Sequence, residues 1–228
     1  MINFKNPREV VSIIDQTLLQ PTARKDQVQT FCEEAVALGF AAVCIAPVWV
    51  HLAAKVARTS EVRVCTVAGF PLGFETTESK VMTMKAALDT GAHEIDYVVN
   101  LGAVKGRNYG LVEAEMEEMR RGAESAVVKV ILESGYLTHK EKRHLCELAV
   151  STGLDFVKTA TGFGPSGASV AEVKLLAECV QGRIKIKAAG GIRTIQDLKA
   201  MVEAGAHRIG TSSGKEIISQ IAARQCVQ

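Results

Sequence analysis

The chain has 228 residues, 47% of them hydrophobic and only 5% aromatic, and 27 basic against 25 acidic residues leave a net charge of +2. Charges of both signs are interspersed, with no basic block or aromatic–basic stripe, which excludes the usual electrostatic footprint of a nucleic-acid-binding protein. A core made mostly of Ala, Val, Ile and Leu suits parallel strands covered by helices better than an aromatic-rich sandwich.

Residues 1–15 carry charges within a short amphipathic stretch and lack a signal-peptide pattern. The longest apolar stretch, around residues 39–50, contains Pro47 and falls short of the roughly 20 residues that a membrane span needs. Cys32, Cys44, Cys65, Cys146, Cys179 and Cys226 are scattered without a Cys-x-x-Cys pair, which argues for free thiols over a disulfide framework or zinc site. Cys44, lacking a histidine partner, reads as a small buried hydrophobe. His51, His93, His139, His144 and His207 show no metal-ligand spacing. The expectation is a soluble, cytoplasmic protein with no metal, no cofactor and no membrane partner.

Along the chain, β-branched apolar runs fall at residues 13–18, 41–46, 62–68, 94–99, 127–133, 155–160, 184–189 and 207–211. Between them lie helical patterns such as Val81-Met84-Ala87-Leu88 and Leu145-Leu148-Ala149. Glycine precedes many of the strands, as in Leu38-Gly39-Phe40 and Thr152-Gly153-Leu154, which is a helix C-cap leading into a strand. Trp49, Met82 and Met84 read as helix packing, and residues 113–121 as a solvated helix face. No linker or composition shift divides the chain, so residues 1–228 read as one domain. Eight strands in βα alternation predict an α/β protein, a single (β/α)8 TIM barrel. A doubly wound open sheet is the alternative, which periodicity alone does not exclude.

In such a barrel the active site forms at the C-terminal ends of the strands. Lys158 and Lys187 stand near those ends on neighbouring predicted strands, and Asp96, Asp15, Cys44, Lys129 and Glu133 are further interior candidates. A buried ammonium loses its hydration and tends to give up its proton, and a neutral lysine amine is the nucleophile that attacks carbonyl carbon to form a Schiff base. An ordinary lysine has a pKa of about 10.4, so a second cation nearby is one way to bring the amine into working range. Lys187 beside Lys158 supplies that charge, and Asp96 can balance it and move protons through a water. The other reading makes Asp96 a structural ion-pair partner of Lys187, and the sequence leaves both open.

Two glycine-rich turns provide an independent signal. Gly190-Gly191-Ile192-Arg193-Thr194 follows the seventh strand, with Thr194 an N-cap and Asp197 three residues on. Gly210-Thr211-Ser212-Ser213-Gly214-Lys215 follows the eighth. Glycine lets a backbone approach a ligand closely, helix N-termini favour anions, and these two loops are the usual phosphate site of the fold. A small phosphorylated substrate is the expectation, with Thr161, in the turn after Lys158, added to the lining.

These segments also carry a resemblance that runs almost end to end. Ile14-Asp15-Gln16-Thr17-Leu18-Leu19, Val43-Cys44-Ile45-Ala46-Pro47, Gly69-Phe70-Pro71-Leu72-Gly73, Glu94-Ile95-Asp96-Tyr97-Val98-Val99-Asn100, Val157-Lys158-Thr159-Ala160-Thr161-Gly162-Phe163 and Lys187-Ala188-Ala189-Gly190-Gly191-Ile192-Arg193 resemble the deoxyribose-phosphate aldolase family. The resemblance implies a metal-independent class I aldolase that cleaves 2-deoxy-D-ribose 5-phosphate reversibly into acetaldehyde and D-glyceraldehyde 3-phosphate. By motif position Lys158 is similar to the Schiff-base lysine, and Asp96 and Lys187 to the acid/base pair. Gly190, Gly191, Thr211 and Ser212 are similar to the phosphate cradle, and Asp15 to a substrate-side polar contact. The family pattern reads Asp-His-Thr-Leu-Leu-Lys-Pro near the first strand, where this chain has Gln16 and Gln20. That loss of two ionisable groups bears on substrate affinity and pH optimum rather than on imine chemistry. The competing expectations are another Schiff-base sugar-phosphate aldolase and a non-catalytic sugar-phosphate-binding barrel. Surface helices of such barrels often pair, so a homo-oligomer is possible.

Overall fold

Eight short strands alternate with helices from one end of the chain to the other. The structure is a computed structural model that describes residues 2–225, with side chains described through residue 221. The strands are β1 Ile14–Leu18, β2 Ala42–Ile45, β3 Arg63–Ala68, β4 Glu94–Val98, β5 Val127–Ile131, β6 Phe156–Lys158, β7 Lys185–Ala189 and β8 Arg208–Thr211. The helices are α1 Pro7–Val11, α2 Lys25–Leu38, α3 Val50–Ala57, α4 Thr77–Asp89, α5 Leu101–Lys105, α6 Tyr109–Gly122, α7 His139–Ser151, α8 Val170–Val180, α9 Ile195–Glu203 and α10 Gly214–Gln225. All strand pairs are parallel, and β8 returns to pair with β1, with Asp15 opposite Gly210. That closure makes the sheet a (β/α)8 barrel and excludes the open-sheet alternative.

Alternation along each strand sorts side chains between two environments. Val43, Ile95, Tyr97, Val128, Val130, Val157, Ile186 and Ile209 turn outward into the apolar layer under the helices. The inward positions on β2 and β3, Ala42, Cys44, Cys65 and Val67, form a small separate apolar cluster inside the barrel. The rest of the interior combines Val98, Ile131 and Ala189 with the charged side chains of Asp15, Glu94, Asp96, Lys129, Lys158 and Lys187. Cys32, Cys44, Cys65, Cys146 and Cys179 are buried and free, and Cys226 lies outside the described residues. Among the described residues no helix is long and apolar enough to cross a membrane.

Strand ends differ from expectation most at β6, which runs only over Phe156–Lys158, and at β5, which stops at Ile131. Glu133 takes φ +50° and opens a short 3-10 turn at Ser134–Tyr136, so the side chain leaves the strand register. Two packing expectations also need correction. Met84 is fully buried as expected, but Met82 is 71% exposed. In the run 113–121, Glu115 is buried rather than solvated, because it pairs with buried Lys80 at 2.6 Å.

Candidate active site

The inward charged residues of β1, β4, β5, β7 and β8 close into a ring of alternating sign. Arg208 Nη1 donates to Asp15 Oδ1 at 2.6 Å, and Asp15 Oδ2 accepts from Lys187 Nζ. Lys187 Nζ also donates to Asp96 Oδ2 at 2.7 Å, and Asp96 Oδ1 accepts from Lys129 Nζ at 2.8 Å. Lys129 then meets Glu94 Oε2 at 2.6 Å, and Glu94 Oε1 returns to Arg208 Nη2 at 3.3 Å. The ring therefore holds as many carboxylates as cations. Buried charge is tolerable only when paired in this way.

Lys158 stands outside this balance. Its Nζ hangs on the ring by one bond, 2.8 Å to Asp96 Oδ2, the oxygen that already accepts from Lys187. The register places Lys158 opposite Lys187 on the adjacent strand and opposite Ile131 on the other side. Lys158 also lines the cavity of about 240 Å3 at the C-terminal mouth of the barrel. The ring members Asp96, Lys187 and Asp15 lie beneath that cavity and are fully buried. Burial opposes the charge on Lys187, but the carboxylates of Asp15 and Asp96 outweigh it and hold the ammonium well above the ordinary lysine range. Burial likewise works against an ionised Asp96, yet Lys129, Lys158 and Lys187 hold it well below the usual carboxylate value. The same balance, set against burial by Lys187 and Arg208, brings Asp15 down to about 2. Lys187 is thus a retained charge beside Lys158 and also an ion-pair partner of Asp96. The ion pair between Asp96 and Lys187, one of the two readings left open by the sequence, is present.

Asp15, placed by resemblance on the substrate side, sits one layer below the cavity with both oxygens taken by Lys187 and Arg208. Its position makes it a partner of Lys187 rather than part of the cavity wall. Glu94 and Arg208 were not singled out from the sequence. The signal was available at Glu94, two residues before Asp96 on the same strand face. Arg208 opens its strand, and only closure of β8 onto β1 brings it to Asp15.

The cavity wall above Lys158 comes from the turns after β1, β6, β7 and β8, and includes Gln20, Thr161, Gly190, Gly191, Arg193, Gly210, Thr211 and Ser212. Gly190 has φ +94°, and a Cβ there would lie 2.9 Å from the backbone of Gly167, so only glycine fits. Gly210 leaves room for the stem of Lys187, whose Cε would stand 3.1 Å from an added Cβ. Thr211 Oγ1 donates to Ile192 O at 2.6 Å and accepts from Ser213 N at 2.9 Å, tying the two glycine-rich loops together. Thr161 Oγ1 donates to buried Glu133, whose carboxylate also accepts from Thr161 N.

The start of α9, behind the β7 loop, is already capped. Asp197 accepts from the N–H groups of Arg193 and Thr194, and Thr194 Oγ1 from Asp197 N, which is the expected capping arrangement. Ser213 N and Gly214 N are also bonded internally. The β7 loop therefore presents backbone and Arg193 to an anion rather than an open helix end, with Ser212 of the β8 loop beside it. Cys44, Cys65 and Asp96, and likewise Asp15, Cys65 and Glu94, cluster closely enough to hold a metal ion. Their carboxylates already contact Lys129, Lys187 and Arg208, so an added cation would face three fixed positive charges.

Known proteins are similar to this chain over nearly its whole length. A family model described as "DeoC/LacD family aldolase" matches residues 10–220. The chain is 47% identical over 214 residues to a deoxyribose-phosphate aldolase of a Thermoanaerobacter species, covering 92% of this chain and 96% of that protein. It is 48% identical over 217 residues to the deoxyribose-phosphate aldolase of Thermococcus kodakarensis, covering 93% and 97%. A solved tetrameric deoxyribose phosphate aldolase from Aeropyrum pernix superposes with a TM-score of 0.89 at 33% identity, covering 96% and 93%. The chain belongs to the DeoC/LacD aldolase family.

Proposed function

We propose that this aldolase, a carbon–carbon lyase, cleaves 2-deoxy-D-ribose 5-phosphate reversibly into acetaldehyde and D-glyceraldehyde 3-phosphate through an imine on Lys158. The observation that carries the reading is the neutral ring with Lys158 left over, held by one shared oxygen and facing the cavity. The substrate assignment is supported by the relatives that bear that name.

The Lys158 amine adds to C1 of the open-chain sugar, and the carbinolamine loses its hydroxyl as water to leave a protonated imine. The proton of the C3 hydroxyl departs as the C2–C3 bond breaks, and the bonding pair moves into the imine to form a two-carbon enamine. Glyceraldehyde 3-phosphate leaves. Protonation at C2 and addition of water to the imine then release acetaldehyde and restore the amine. Asp96 Oδ2, in contact with the reacting nitrogen, is the counter-charge of the imine cation and, with Lys187 and a water, carries the protons. Gly190, Gly191, Gly210, Thr211 and Ser212 hold the phosphate, with Arg193 beside them and Thr161 shaping the wall near Lys158. Asp15 holds Lys187 in place.

The five buried free thiols support a reducing, cytoplasmic setting. The tetramer of the Aeropyrum pernix relative supports a homo-oligomer, which sedimentation would check. Reduction with borohydride in the presence of acetaldehyde, followed by peptide mass mapping, tests the chemistry. A two-carbon adduct on Lys158 is expected; an unmodified Lys158 in the reduced protein overturns the reading.

A further inference from the structure

Gln16 is one of the two positions at which this chain departs from the family pattern, and the structure gives it a place outside the reacting centre. Its neighbour Asp15 turns into the barrel, so Gln16 turns outward, behind the loop that follows β8. There it is buried, with 5% of its surface exposed. Its amide makes two complementary bonds to that loop. Nε2 donates to Ser212 O at 3.3 Å, and Oε1 accepts from Gly214 N at 3.0 Å. The contact is fitted closely, because a Cβ on Gly214 would stand 2.3 Å from Gln16 Oε1 and 2.9 Å from the Phe40 ring.

The loop is thereby held from two sides. Thr211 Oγ1 fastens it to the β7 loop on the cavity side, through Ile192 O and Ser213 N. Gln16 fastens it from behind, one residue to either side of Ser213. Between these anchors lies Ser212, exposed into the cavity where the phosphate is proposed to sit. A backbone cradle discriminates only if its peptide planes are fixed before the ligand arrives, since ordering them on binding costs affinity.

We propose that Gln16 is a positioning residue that pre-orders the Ser212–Gly214 turn and so sets the preference for a phosphorylated over an unphosphorylated substrate. The inference rests on the sugar-phosphate reading of the cavity. Gln16 touches neither Lys158 nor Asp96 among its bonds, so its loss acts on the phosphate end and not on the imine. An uncharged amide supplies one donor and one acceptor together, which apolar side chains of similar size do not.

The test compares Gln16→Leu, which keeps bulk and removes both bonds, with Gln16→His assayed at pH 8, where a neutral imidazole again offers one donor and one acceptor. Three quantities are read: KM and kcat for 2-deoxyribose 5-phosphate, kcat/KM for unphosphorylated 2-deoxyribose, and binding of inorganic phosphate by calorimetry. For Gln16→Leu the expected result is a KM for the phosphorylated sugar raised about tenfold, as for loss of two buried hydrogen bonds of modest net worth. Phosphate binding weakens in parallel, and the unphosphorylated sugar is turned over as before. Gln16→His retains most of the preference. Equal losses on both sugars, unchanged phosphate binding, or a histidine variant that behaves as the leucine one would overturn the proposal. Acetaldehyde trapping on Lys158 involves no phosphate, so failure of the aldolase reading shows there and remains distinct from failure of this one.

Discussion

Two buried lysines in this molecule, Lys80 and Lys158, have opposite fates. Lys80, on α4 outside the barrel, is fully buried and spends all three of its hydrogens: on Gly73 O and Val98 O at 2.9 Å each and on Glu115 Oε2 at 2.6 Å. It faces no cavity and staples the turn after β3 to β4. Lys158 is nearly as buried, yet it has one acceptor, shares that acceptor with Lys187 and opens onto the cavity. Burial by itself therefore does not mark a nucleophile. What separates the two amines is how much of their donor capacity the fold consumes and whether a carbonyl can reach what is left.

That contrast can be broken by substitution. Lys158→Leu is expected to lower turnover by on the order of 10^4-fold or more, as for loss of a covalent nucleophile. The ring is balanced without Lys158 and only one hydrogen bond is lost, so urea unfolding should change by no more than about 1 kcal/mol. Retained activity would place the imine elsewhere. Asp96→Asn touches both properties: kcat should drop by about 10^2–10^4-fold, and stability by about 3–5 kcal/mol because the buried ammonium groups lose their shared counter-charge. Lys80→Met should cost a similar roughly 3–5 kcal/mol, through stranded Glu115, while kcat of the folded fraction stays within about twofold. A catalytic collapse in that variant would erase the distinction drawn between the lysines.

The smallest effect is the pH dependence of stability. Asp15 and Asp96 are held below the ordinary aspartate value of about 3.9 despite burial. Their contribution is complete above about 3.9 and is lost as pH falls through the folded values, about 2 for Asp15. Lys129 and Lys187 are raised despite burial, so their contribution is complete below about pH 10.4 and disappears only on going higher. Thermal midpoints should show no loss from the ring between about pH 4 and 10. A steep decline confined to pH 5–7 would mean that the ring is not the ionised network described.

Much of this was legible in the chain itself. Each of the eight apolar runs became a strand, with ends shifted by a residue or two at most strands, because hydrophobic alternation and glycine caps act locally. β5 is shorter than its apolar pattern because Glu133 is drawn away to Thr161, a contact made across 28 residues. Lys158, Lys187 and Asp96 could be picked out because a charge in an apolar strand is costly wherever that strand packs. The pairing of Asp15 below the cavity and the burial of Glu115 were not legible, because each is governed by a partner far away in sequence: Arg208 and Lys187 for one, Lys80 for the other.

The sequence by itself determined the strand and helix alternation, the inward placement of Lys158 and the glycine loops at the mouth. These follow from side-chain period and backbone freedom, which are properties of neighbours along the chain. Only the tertiary structure decided that the charges close into a neutral ring, that Lys158 is the one left over, and that Gln16 braces a loop 196 residues away. Those outcomes depend on β8 meeting β1. Ion pairing and hydrogen bonding are satisfied by whichever groups closure brings within about 3 Å, and no local pattern encodes that choice.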